Sequence, residues 1–148
     1  MRKGFTLIEL LLTLGIVVIL STIGVLSLVG YRSQQSLRAA SQKFVTFARD
    51  VQQKSISQEG GLQWGVRFTH QAGVRDSYQL INGVSTFNPA GSLVALPSNA
   101  EFAVVYGDLV FNRLGLPLSP TTLIMRLKAN PGVTRTITIN AQGLIREQ

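Results

Sequence analysis

Chemistry-bearing side chains are sparse in this sequence and mostly stand alone. The acids Asp50, Glu59, Asp76, Glu101, Asp108 and Glu147 are scattered, and no two of them share helical spacing. There is no cysteine, which removes disulfides and thiolate metal sites, and with His70 the only histidine neither a multi-histidine metal site nor a histidine-dependent relay is expected. No phosphate-cradling Gly-Lys-Ser/Thr loop and no Gly-x-Ser-x-Gly elbow occurs. An enzyme is therefore poorly supported, and no cofactor or metal is expected. The remaining acid, Glu9, stands apart because of its surroundings. A carboxylate beside a long apolar run costs up to about 3 kcal/mol if carried to the centre of a membrane, so it needs a partner or a purpose.

That run positions Glu9. Leu10 to Val29 carries no charge and is interrupted only by Thr13, Gly15, Ser21, Thr22, Gly24 and Ser27. Counted from Phe5 it extends for 25 residues, roughly 37 Å as an α-helix, against roughly 30 Å of bilayer hydrocarbon. Arg2 and Lys3 precede it, which predicts an N-terminus in the cytoplasm and the remaining residues across the membrane. A secretory signal peptide would have an apolar core of about 7–15 residues and a small-x-small cleavage site, neither of which is present. A plain one-pass anchor fits the hydropathy equally well but leaves Glu9 unexplained.

The text Lys3-Gly4-Phe5-Thr6-Leu7-Ile8-Glu9-Leu10-Leu11 resembles the class III signal of type IV prepilins and pseudopilins. The resemblance implies that a prepilin peptidase cuts between Gly4 and Phe5 and methylates the new amino group of Phe5. It also implies a single-pass protein of the bacterial inner membrane that later enters a periplasmic or extracellular filament. Glu9 would then neutralise a neighbour's amino terminus in a low-dielectric core, an assembly role and not a catalytic one. Its partners would be the peptidase, other pilin or pseudopilin subunits and the inner-membrane assembly platform.

Beyond the run, Leu37, Ala40, Phe44, Phe47 or Ala48, and Val51 recur at three- and four-residue steps. No proline occurs before Pro89, so one helix is predicted from about Thr6 to Ile56, ended by Gly60-Gly61. Strands follow. Trp64, Val66 and Phe68 alternate, and Tyr78 to Ile81 leads to a turn at Asn82-Gly83. Phe102 to Tyr106 and Leu109 to Phe111 flank a turn at Gly107-Asp108. Leu123, Met125 and Leu127, then Arg135 to Ile139, then Leu144 to Arg146, complete the pattern, separated by turns at 129–132 and 140–143. The stretch from Val84 to Ala100 reads as loop. The fold class is α+β: a long helix packed on a meandering antiparallel sheet. The expected domains are a leader (1–4), a membrane and filament-core helix (5–29), an amphipathic continuation (30–57) and a β-rich body (58–148).

Trp64 to Phe68, Val110-Phe111 with Gly115, Ile137 to Ile139 and Gly143 to Ile145 resemble the H-type minor pseudopilins of type II secretion and the FimT-like minor pilins. The chain lacks the C-terminal disulfide loop and the membrane-helix proline usual in major pilins, which favours a minor role. From Gly30 onward 12 Lys and Arg face 6 Asp and Glu, a body of +6. By resemblance to FimT-like proteins, Arg126, Lys128, Arg135 and Arg146 are candidates for contact with DNA during uptake, through salt-sensitive phosphate contacts.

Overall fold

The computed structural model describes residues 5–148, with the side chains of residues 22–27 left out. The expected leader, including Gly4, lies outside the described residues, as do the side chains of Thr22, Gly24 and Ser27. The chain forms two compact units, one ending at Ser33 and the other spanning Gln34–Gln148.

Helix α1 runs Leu7–Ile56 and crosses from the first unit into the second. Its start follows from a polar cap at Thr6, and no proline interrupts it. Its end follows from left-handed backbone at Gln58 (φ 51°), Gly60 (φ 67°) and Gly61 (φ 72°), a conformation that the two glycines adopt without strain. In the first unit the apolar side chains from Phe5 to Leu20 are exposed on every side of the helix. Such a helix needs an apolar environment from outside the chain. Among the described residues, no helix is long and apolar enough to cross a membrane; the described part of the apolar run stops at Ser21.

The second unit holds the core. Leu37, Ala40, Ser41, Phe44, Val45, Ala48, Val51 and Ser55 form the buried stripe of α1, with Phe47 half-buried beside it. The strands are β1 (Gln63–Thr69), β2 (Ser77–Gly83), β3 (Phe87–Pro89), β4 (Val94–Ala95), β5 (Ala100–Phe102), β6 (Leu109–Phe111), β7 (Thr121–Leu127), β8 (Thr134–Ile139) and β9 (Ile145–Glu147). They form two antiparallel sheets, where the sequence predicts one. The first has the order β3-β2-β1-β6 with β4 also on β2; the second has the order β5-β7-β8-β9.

Three further expectations change. Asn82-Gly83 does not turn the chain: both residues stay in β2, opposite Trp64 and Gln63. Glycine is required at position 83 because a Cβ there would lie 1.9 Å from the Thr86 carbonyl oxygen, where the chain doubles back into β3. Gly107-Asp108 is not a hairpin turn. The strands on either side of it belong to different sheets, β5 pairing with β7 and β6 with β1. The 84–100 stretch carries β3, β4 and the start of β5, short strands whose periodicity is too brief to read.

Aromatic rings tie the layers together. Phe44 of α1 meets Tyr78 edge-on at 5.1 Å and Phe68 at 5.6 Å. Phe68 then meets Phe102 of the second sheet at 5.4 Å. These rings place the helix over both sheets at one point.

Candidate assembly site and basic surface

Phe5 and Glu9 lie at the head of α1, both exposed. Thr6 is the cap. Its Oγ1 accepts the Glu9 N–H at 3.3 Å, and the Glu9 Oε2 accepts the Thr6 N–H at 3.4 Å and the Thr6 Oγ1–H at 3.4 Å. This is a capping box, in which residue and cap satisfy each other's orphan donors. The Thr-x-x-Glu spacing is its sequence signal, and a reading of Glu9 as a bare charge overlooks it. Two hydroxyls of the apolar run are also satisfied inside the helix: Thr13 donates to the Leu10 carbonyl at 3.0 Å and Ser21 to the Val17 carbonyl at 2.7 Å. Neither hydroxyl therefore requires a partner in an apolar medium.

The four C-terminal basic residues lie on or beside the strands of the second sheet. Arg126 on β7 donates from Nε to Glu101 Oε1 at 2.8 Å, so its charge is already matched. Arg135 stands opposite the buried Met125, on the core-side parity of β8. Arg146 stands opposite Thr138 on the outer face, with Arg126 opposite Thr134. Those registers leave Arg126 and Arg146 roughly 16 Å apart across two strand spacings. Lys128 follows β7, where its N–H donates to the Asn99 carbonyl.

Several structural contacts carry no sequence signal. Gln52 of α1 donates from Nε2 to the Gly115 carbonyl at 2.7 Å and the Gly143 carbonyl at 2.8 Å. One helix side chain thus holds both the β6–β7 connection, which joins the two sheets, and the β8–β9 turn. The buried Asp76 accepts the Phe102 N–H at 2.6 Å and lies 2.8 Å from His70 Nδ1. Arg67 grips Asp108 with Nε and Nη2 at 2.6–3.1 Å, and this hydrogen bonding raises the guanidinium pKa. The hydrogen bond from Lys54 to Glu59 likewise raises the Lys54 pKa, while its ammonium lies 5.3 Å from the centre of the Trp64 ring.

Residues 1–25 match the family described as the prokaryotic N-terminal methylation motif. That motif is the class III signal of type IV pilins, and it implies processing by a prepilin peptidase and assembly with other pilins. No curated protein and no solved structure matches the chain.

Proposed function

We propose that this chain is a structural minor pilin or pseudopilin, cleaved between Gly4 and Phe5, methylated on Phe5, and assembled into a type IV pilus or type II secretion pseudopilus through residues 5–29. The observation that carries this reading is Glu9. It is a carboxylate in the first turn of a helix that is otherwise apolar as far as Ser21, four residues after the cleavage position. While the helix is in the membrane, the capping box gives that carboxylate local donors. In a filament the same oxygens can meet the amino terminus of a neighbour, where a matched pair costs far less than either charge alone.

The scattered acids, and the bonding of the Thr13 and Ser21 hydroxyls within the helix, support a structural subunit over an enzyme. The basic residues support it over a DNA receptor: one is neutralised by Glu101 and another lies on the opposite parity, whereas phosphate binding needs clustered free charge. Intact mass of the membrane-extracted protein tests the reading. Loss of Met1 through Gly4 plus one methyl group is the expected result. An uncut chain would reduce the protein to a one-pass anchor.

A further inference from the structure

We propose that a groove between α1 and the β4 corner docks an acidic segment of a different polypeptide, a neighbouring subunit, and not a second copy of this chain. That the partner is a filament subunit rests on the function proposed above; its acidic chemistry does not.

The groove has a volume of about 380 Å³. Ala39, Ala40 and Lys43 line it from the helix, and Arg75, Leu96 and Pro97 line it from the opposite wall. The alanines open the space, and the floor is largely apolar. No Asp or Glu lines it, and among the described residues neither Lys43 nor Arg75 is in an ion pair. The Arg75 Nε–H donates to the Leu96 carbonyl, which anchors the guanidinium at the wall. Arg75 also borders a second cavity, of about 350 Å³, beside Lys128. Of the carboxylates there, Glu101 is ion-paired with Arg126, and Asp76 is buried and accepts the Phe102 N–H.

The charge of the body argues against a second copy as the partner. From Gly30 onward it carries 12 Lys and Arg against 6 Asp and Glu, a net +6. Half of those six acids are already ion-paired with a basic residue of the same chain, Glu59 with Lys54, Glu101 with Arg126 and Asp108 with Arg67, and Asp76 is buried. A copy of this body would therefore bring mostly unmatched positive charge to a positive groove, which repels. The mixed lining of small apolar residues with cations at the rim fits a peptide bearing apolar side chains and carboxylates. A nucleic-acid backbone would leave the apolar floor unused.

The test is fluorescence anisotropy on the full chain in neutral detergent. The probes are a labelled amphipathic peptide with an alanine–leucine face edged by glutamates, and the same peptide with glutamines. The glutamate peptide should bind at least roughly tenfold tighter, and the preference should fade with salt. Lys43→Glu, an exposed change, should lower its affinity about tenfold or more with an unchanged unfolding midpoint. Ala39→Trp fills the groove without altering charge and should weaken both peptides. Equal binding of the two peptides, no binding of the glutamate form, indifference to Lys43→Glu, or displacement by duplex DNA would each overturn the proposal. Peptide binding by a chain that cells leave uncleaved would sink the filament reading alone. A processed, methylated chain without the glutamate preference would sink the groove alone.

Discussion

Glu9 has two separable properties, a hydrogen-bonding carboxyl group and a charge. Glutamine at the third helical position can still complete a capping box, whereas alanine cannot. Glu9→Gln should therefore keep the helix start intact while losing the interaction with a neighbour's amino terminus. Glu9→Ala should lose both, with about 1 kcal/mol of local helix stability. Both variants should be inserted and cleaved; filament incorporation, read by immunoblot of sheared filaments, should fall for both. Normal incorporation of Glu9→Gln would show that capping, not charge, is what assembly uses. Tyr78 offers a second residue-scale prediction. Burial pushes its phenol up to about 12, above the ordinary value of 10.0. The folded state then holds a proton that the unfolded state releases, so stability is complete below pH 10 and falls as pH rises towards 12. The loss should be no more than about 1.4 kcal/mol per pH unit, the slope for one proton. Unfolding midpoints followed from about pH 9 to about pH 12 should fall in the native chain and flatten in Tyr78→Phe.

At the scale of elements, the two loops gripped by Gln52 should be the sensitive joints of the body. Gly115 and Gly143 have φ of 75° and 78°, and a Cβ on Gly143 would lie 2.6 Å from the Gly115 carbonyl oxygen. Gly143→Ala should cost about 2–3 kcal/mol, combining left-handed strain with that backbone collision. Gln52→Ala removes two hydrogen bonds to loop carbonyls and should cost about 1–3 kcal/mol. Chemical denaturation would measure both, and a neutral Gly143→Ala would refute the close approach. The helix itself is legible from its 3.6-residue periodicity and missing prolines. The predicted end at Ile56 coincides with the structure because Gly60-Gly61 is a local signal. Asn82-Gly83 misleads as a turn signal because a glycine demanded by a carbonyl approaching from three residues ahead looks the same in sequence as one demanded by positive φ.

At the scale of the whole molecule, Phe44 is the point where helix and sheets converge. Phe44→Ala should cost about 3–5 kcal/mol and loosen its ring contacts to Phe68 and Tyr78 of the first sheet, and through Phe68 the contact to Phe102 of the second, seen as a single cooperative transition shifted to lower denaturant. The division of the strands into two sheets has no signature in the sequence. β5 and β6 are each three residues long, and nothing local indicates that one pairs with β7 while the other pairs with β1. Partner choice depends on which faces bury together around Phe68 and Phe102, contacts between residues far apart in sequence.

The sequence by itself determined the processing signal, the apolar run, the long helix and the α+β class, because each rests on local composition, spacing or periodicity. Only the tertiary structure decided how charge is distributed. It paired Glu101 with Arg126 and Asp108 with Arg67, and it left Lys43 and Arg75 beside a groove without a carboxylate. Coulomb and hydrogen-bond partners are set by distance in space, and that distance exists only once the helix and both sheets have packed.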